Sequence, residues 1–204
     1  MKIPVYTLVI FLFHALGSST GNAQVLDSTQ LSHARVFRSI EEALIKPDSV
    51  YVLQIRRKRL TQFPEEIFTL KNLNKLDLSR NKIQLIPRDI GTLSNLTELN
   101  LSKNKLGAIP PDIGKLKNLK RLIIFQNEIA FIPSEIGEVE QLEYLDMWGN
   151  ELETLPDEIS NLKNLSVIDM RVIEISDSKQ KEFHDLLPNT TIPVSYTHLR
   201  AHET

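Results

Sequence analysis

Apolar and polar positions recur along this chain with a period of 23 residues. Between Val50 and Ile175 the same order of leucine, isoleucine, asparagine and proline returns without insertion or deletion. One copy cannot bury its own apolar face, but stacked copies can, so the pattern predicts a solenoid. We refer to the copies as coils 1 to 6, which begin at Val50, Leu73, Leu96, Leu119, Leu142 and Leu165.

Each coil contains two kinds of segment. The apolar residues of its first part, LxxLxL, alternate as in a strand with one buried face. A proline then ends any regular pairing, and the stretch up to the next coil reads as a short turn or helical piece. The pattern therefore predicts a parallel sheet on the concave side of the solenoid and short connecting pieces on its convex side.

The consensus LxxLxLxxNx[LI]xx[LIF]Pxx[IL]xxL, read from residues 50–175, resembles the leucine-rich repeat family in its typical 23-residue subclass. The resemblance implies an α/β repeat solenoid of horseshoe shape, with helical caps at both ends. It also implies a recognition scaffold whose partners differ between members, so the fold alone does not identify a ligand.

An asparagine stands at the ninth position of four successive coils. A buried amide is costly unless it is hydrogen-bonded, so we expect these side chains to form a structural ladder between coils. The ladder is interrupted by Lys58 in coil 1 and Ile173 in coil 6, as expected of terminal repeats. Its members are Asn81, Asn104, Asn127 and Asn150.

The segments that flank the repeat read as caps. In residues 24–49, Ser39 and Glu42 have the spacing of a capping box, which predicts a short helix ended by Pro47. In residues 176–192 the repeat loses its proline, and a helix with Phe183 and Leu187 on one side is expected.

The first 23 residues have the pattern of a secretory signal peptide. Lys2 precedes an apolar run from Val5 to Leu16, and small residues follow, which predicts cleavage after Ala23. The apolar run is short for a membrane span, although a retained anchor stays open as an alternative. We expect a secreted, periplasmic or cell-surface protein without a stable membrane span after cleavage.

The last twelve residues, PVSYTHLRAHET from Pro193 to Thr204, have no periodicity. They resemble the translation of a transposase-type sequencing adapter, so we interpret them as an artefact and exclude them from the fold. His198 and His202, whose spacing would suit half of a metal site on a helix, are excluded with them. On this interpretation the natural C-terminus lies beyond the sequence.

Composition argues against several functions. The net charge is −2, with lysine and arginine spread through every coil, whereas nucleic-acid binding requires a basic face. The chain has no cysteine, and it shows no phosphate loop, no serine elbow and no cluster of metal ligands. We therefore expect a protein that is not an enzyme and that uses neither a cofactor nor a metal.

Outward-facing positions of neighbouring strands form columns about 4.8 Å apart. The third, fifth and seventh positions of each coil are expected to face the concave side. Coils 4 and 5 bring together four large apolar residues there, surrounded by four charged ones, and we call this set the concave patch. The apolar members are Ile123, Phe125, Tyr144 and Trp148, and the charged members are Arg121, Asp146, Asp169 and Arg171.

An apolar patch with a charged surround is typical of a binding hot spot, in which tryptophan, tyrosine and arginine predominate. We therefore expect a non-catalytic module that binds a protein or peptide on its concave sheet. Three alternatives stay open: the aromatic residues only cover the sheet or pack under an unseen C-terminal segment, the chain is the recognition arm of a longer protein, or it is a structural envelope component.

Overall fold

The structure is a computed structural model that describes residues 25–152, 154–171 and 185–193. The predicted signal peptide, most of the expected C-terminal cap helix and residues 194–204 of the adapter-like segment lie outside these ranges.

A single sheet of seven parallel strands runs along the solenoid in chain order. Each strand pairs with its equivalent in the next coil, as Lys75 does with Glu98 and Leu76 with Leu99. The predicted parallel sheet is confirmed, and it has one strand more than the repeat indicated, because β1 precedes coil 1 and pairs with β2. The strands are β1 (Val36–Phe37), β2 (Val52–Gln54), β3 (Lys75–Asp77), β4 (Glu98–Asn100), β5 (Arg121–Ile123), β6 (Tyr144–Asp146) and β7 (Val167–Asp169).

The convex side of coils 1 to 5 carries short 3₁₀ helices, each of which begins directly after the proline that recurs every 23 residues. Proline suits this place because its fixed φ prepares the turn and its missing N–H removes no needed hydrogen bond. After Pro47–Ser49 in the N-terminal segment, the helices are Glu65–Thr69, Arg88–Thr92, Pro111–Lys115, Ser134–Glu138 and Asp157–Asn161.

Two short α-helices cover the N-terminal end, α1 (Ser28–His33) and α2 (Ile40–Ile45). The Ser39 hydroxyl accepts a hydrogen bond from the Glu42 N–H, as the sequence predicted for the start of α2. In a full capping box the Glu42 carboxylate would also accept a hydrogen bond from the Ser39 N–H. Here that carboxylate pairs with Arg35 instead. A complete capping box does occur at α1, between Asp27 and Gln30, where the sequence analysis predicted no helix.

The interior is one continuous apolar core of stacked leucine, isoleucine and valine side chains, which Ala43 of α2 closes at one end. At the other end Thr191 makes a parallel bridge to Val167 of β7, and the Ile168 N–H donates to the Thr191 carbonyl at 3.0 Å. Leu187 is buried in the same core. The edge of the last strand is therefore partly paired.

Ninth-position asparagines join neighbouring coils. Asn104 illustrates the geometry: its Nδ2 donates to the Leu101 carbonyl of its own coil at 2.9 Å and to the Leu78 carbonyl of the preceding coil at 3.1 Å. Its Oδ1 accepts from the Ile83 N–H at 3.0 Å. Asn81, Asn127 and Asn150 make the equivalent bonds.

A second set of asparagines, which the sequence analysis did not single out, holds the convex side. Each precedes the first leucine of a coil, and its Nδ2 donates to a carbonyl 24 residues earlier at 2.8 Å. The repeated Asn-Leu step was the available signal. The members are Asn72, Asn95, Asn118 and Asn164.

Within the ranges that the structure describes, no helix is both long and apolar enough to cross a membrane.

Candidate functional site

Main-chain pairing fixes the two strands that carry the concave patch. The Ile124 N–H donates to the Asp146 carbonyl at 2.8 Å, and the Gln126 N–H donates to the Trp148 carbonyl at 2.9 Å. Ile123 of β5 lies directly opposite Asp146 of β6 in the register. The strand residues of the patch therefore stand on a hydrogen-bonded sheet, and Phe125 and Trp148 lie two residues beyond the ends of β5 and β6, where the main chains are still hydrogen-bonded.

Trp148 lies between a buried residue and a glycine in the left-handed region. The Met147 side chain is fully buried in the core, so Trp148, which follows it, is turned to the concave side. Gly149 has a φ of +66°, and the same eighth position is left-handed in coils 1 to 4, where Arg57, Arg80, Lys103 and Gln126 occupy it. Glycine adopts this conformation without the strain that a side chain adds, and it leaves no side chain beside the indole.

Phe125 and Trp148 form a parallel stack in the seventh-position column. Their ring centroids are 5.1 Å apart and their planes differ by 6°. Both residues are half-buried, and the Lys103 ammonium lies 5.7 Å from the Phe125 centroid. Such a stack holds both rings in place, so little side-chain entropy remains to be lost when a partner packs on them.

Lys103 stands at the eighth position and was not included in the predicted patch, because only the third, fifth and seventh positions were expected to face the concave side. The cation–π contact with Phe125 brings its ammonium group to the patch. Its proximity depends on the pairing of coils 3 and 4, which the sequence of one coil does not show.

Arg121 and Tyr144 form the second contact of the patch. The Arg121 guanidinium carbon lies 4.2 Å from the Tyr144 ring centroid, and Nε of Arg121 lies 3.9 Å from Oε2 of Glu98. Burial raises the pKa of Tyr144 above its usual value. Arg121 is exposed, so it fits the predicted surround of the patch.

Asp146 and Asp169 were expected in the exposed surround of the patch, and the structure corrects this. Their exposed fractions are 7% and 6%. The two residues lie directly opposite each other on β6 and β7. The patch therefore has carboxylates at its floor as well as aromatic rings at its surface.

Asp169 is fully paired with Arg171. Nε of Arg171 donates to Oδ1 of Asp169 at 2.9 Å, and Nη2 donates to Oδ2 at 2.7 Å. This two-pronged contact with Asp169 raises the pKa of Arg171. Arg171 thus neutralises the carboxylate of its own coil.

Asp146 has no such partner. The Tyr144 hydroxyl lies 3.5 Å from its Oδ2, and its buried Oδ1 has no hydrogen-bond partner among the residues that the structure describes. Burial, followed by the nearby charge of Asp169, raises the pKa of Asp146 to about 6. A carboxylate in this position attracts a hydrogen-bond donor or a cation.

The described residues contain no cluster of three or more histidine or acidic side chains arranged to hold a metal ion. The patch offers flat aromatic surface, a buried carboxylate without an arginine partner among the described residues, and arginines that are already engaged.

Two family models match the chain. A leucine-rich repeat region matches residues 89–191, and a leucine-rich repeat model matches residues 48–106. A comparison with curated proteins gives no match.

Solved structures of similar fold come from bacteria and plants, among others. A leucine-rich repeat protein of Leptospira interrogans is 31% identical, with a TM-score of 0.60 over 72% of this chain and 43% of its own. The leucine-rich repeat ectodomain of the plant membrane receptor kinase GASSHO1/SCHENGEN3 from Arabidopsis thaliana, in complex with Casparian strip integrity factor 2, is 32% identical. Its TM-score is 0.58 over 63% of this chain and 16% of its own.

A third similar structure is an octameric complex of latrophilin 3, Unc5D and the leucine-rich repeats of FLRT2. It is 25% identical, with a TM-score of 0.59 over 70% of this chain and 47% of the matched one. The chain spans less than half of the length of each of these three structures.

Proposed function

Because this chain belongs to the leucine-rich repeat family, we propose that it is a secreted, non-catalytic recognition module that binds a protein or peptide partner. The partner binds on the concave sheet, centred on Phe125 and Trp148. The observation that carries the proposal is the stacked, half-buried pair of aromatic rings on coils 4 and 5.

Keeping two aromatic rings in contact with water costs free energy, which burial against a partner would recover. Large aromatic side chains dominate interface energies because they bury much apolar area with few rotatable bonds. The preceding coils carry serine at the same position, as Ser79 and Ser102, so the fold itself does not need an aromatic residue there. Two neighbouring coils that carry stacked aromatic rings in place of serine therefore favour a binding function.

The similar structures support the same class of function. The Arabidopsis ectodomain was solved with Casparian strip integrity factor 2 bound, and the FLRT2 repeats were solved in a complex with two other proteins. For this chain, these complexes support a protein or peptide partner and do not identify it.

The proposal is tested by a double substitution, Phe125→Ser with Trp148→Ser, which gives coils 4 and 5 the residue of coils 2 and 3. Peptide ligands are first selected on the wild-type protein from a displayed random library, and their affinities for both proteins are measured by calorimetry. We expect the double variant to lose at least about tenfold in affinity, with a melting temperature within about 5 °C of wild type.

The control removes exposed apolar side chains elsewhere. Leu85 and Phe131 are 70% and 58% exposed at the thirteenth position of their coils, outside the concave columns. The double variant Leu85→Ser with Phe131→Ser should bind the selected peptides as the wild type does. Equal affinity of the wild type and the Phe125/Trp148 variant would contradict the proposal, and a large fall in its melting temperature would make the patch structural.

A further inference from the structure

The fifth-position column carries three aspartates, and the chain neutralises only two of them with its own arginines. Nε of Arg56 donates to Oδ2 of Asp77 at 2.7 Å, and Arg171 contacts both oxygens of Asp169. Asp146, which lies in the same column, receives no arginine. The exposed fraction of each of the three residues is 7% or less.

Both arginines stand at the seventh position of a coil, and a seventh-position side chain can reach the aspartate of its own coil or that of the next coil. Arg56 belongs to the coil before Asp77, whereas Arg171 belongs to the same coil as Asp169. For Asp146 the corresponding positions are Phe125 in the preceding coil and Trp148 in its own coil. The two stacked rings thus stand at both positions from which an arginine of the chain could pair with Asp146.

The other groups that face Asp146, among them the main-chain N–H of Trp148 and the more distant charge of Arg171, do not replace the missing guanidinium. On β6 the Tyr144 hydroxyl is 3.5 Å away, and on β5 the opposite residue is Ile123. On β7 the opposite residue is Asp169, which adds negative charge and already holds Arg171. Arg121 is engaged with the Tyr144 ring. A buried carboxylate in this situation destabilises the folded chain.

We infer that the binding partner supplies the missing group: an arginine side chain that packs on the Trp148 ring and donates hydrogen bonds to the Asp146 carboxylate. This inference rests on the proposed function, and it specifies the chemistry of the partner at the same surface. Asp146 and Trp148 are two residues apart on one face of the strand, about 7 Å along it. An arginine side chain that lies along the indole can direct its guanidinium toward the Asp146 carboxylate.

Arginine fits the surface better than lysine does. Its planar guanidinium stacks on aromatic rings and presents parallel donors that match a carboxylate. The chain itself uses arginine for the same task at Asp77 and Asp169. The partner's arginine would pair with Asp146 in the way that the chain's own arginines pair with the other two aspartates of the column.

The contact should depend on pH. Burial and the Asp169 charge raise the pKa of Asp146 to about 6, so the carboxylate is charged at pH 7.5 and largely protonated at pH 5. A neutral Asp146 attracts a guanidinium less strongly, and affinity should therefore fall as the pH falls through 6.

The experiment selects peptides from a displayed random library on the wild-type chain and removes those that also bind the Phe125→Ser, Trp148→Ser variant. We expect the remaining peptides to share one arginine. In a synthetic peptide, replacing that arginine by citrulline, its neutral analogue, should lower the affinity about 10- to 100-fold. Asp146→Asn should cause a similar loss with the arginine peptide and little further loss with citrulline.

Two controls sharpen the result. Asp77→Asn changes a carboxylate of the same column that already has a partner, and it should leave peptide affinity unchanged. Between pH 7.5 and pH 5 the affinity of wild type should fall, whereas that of Asp146→Asn should stay constant.

Patch-dependent peptides that lack a shared basic residue, share a lysine instead, or bind Asp146→Asn as well as wild type would overturn this inference and leave the proposed function standing. If every selected peptide binds independently of Phe125 and Trp148, the proposed function fails and the inference fails with it.

Discussion

At the scale of single residues, Asp146 is where binding and stability are in conflict. The other two aspartates of its column, Asp77 and Asp169, are paired with arginines, while its own Oδ1 is buried without a hydrogen-bond partner in the described part of the chain. Asn100 occupies the same position in coil 3 and accepts a hydrogen bond from the Ser102 N–H with its amide oxygen. An amide therefore fits this site, and a buried carboxylate there lowers stability unless a ligand pairs with it.

Asp146→Asn is predicted to stabilise the fold at neutral pH. The pKa of Asp146 is about 6 in the folded chain, against a usual value of 3.8. Between these values the folded state binds more protons than the unfolded state, so the free energy of unfolding falls as the pH rises through that window. Asparagine removes this loss, and we expect a gain of about 1–3 kcal/mol at pH 7.5 and almost none at pH 4.

Urea denaturation of both proteins at pH 4 and pH 7.5 measures the difference. Asp89→Asn, an exposed aspartate on the convex side, is the matched control and should change neither value. If the wild type were more stable than Asp146→Asn at pH 7.5, Asp146 would stabilise the fold, and its burial would not be a cost that ligand binding offsets.

At the scale of elements, the 3₁₀ helices of successive coils stack so closely that glycine is required between some of them. A Cβ built on Gly137 would lie 2.5 Å from the Glu158 carbonyl oxygen of the next helix, and one on Gly114 would lie 2.7 Å from the Glu135 carbonyl oxygen. These are backbone atoms, which cannot move aside without shifting a whole coil. The spacing of the convex side therefore depends on these two residues.

Gly137→Ala is predicted to destabilise the protein by about 1–3 kcal/mol, because the added methyl group forces two coils apart. Gly107→Ala is the matched control, since a Cβ there meets no atom within 4 Å, and its stability should be close to that of wild type. Urea denaturation of the two variants gives the comparison. Equal stabilities would mean that the coils separate without cost.

The sequence predicted the elements that the repeat generates, but not the contacts between coils. Periodicity and proline spacing were sufficient for the parallel sheet and for the convex turns. β1 and α1 lie outside the repeat, so no periodic signal marked them. The burial of Asp146 was missed for a different reason: alternation shows which way a side chain points, but it does not show how much water reaches that side chain.

At the scale of the whole molecule, the solenoid holds its binding residues on a surface that is already formed. Each coil contacts mainly its neighbours, and main-chain hydrogen bonds join every strand of the sheet to the next. At the seventh position of each coil, coils 1 to 3 present the polar residues Arg56, Ser79 and Ser102. Coils 4 and 5 present Phe125 and Trp148 at the same position. A partner should therefore contact one end of the concave face, with little rearrangement of the sheet.

Trp148 is the only tryptophan of the chain, so its fluorescence reports on the centre of the concave patch. The most direct test is to titrate a selected peptide into the wild-type protein and to follow tryptophan emission beside calorimetry. A peptide without tryptophan should move the emission to shorter wavelengths as water leaves the indole, with the same midpoint as the heat of binding. Saturable heat with unchanged emission would place the partner elsewhere on the molecule and contradict the account.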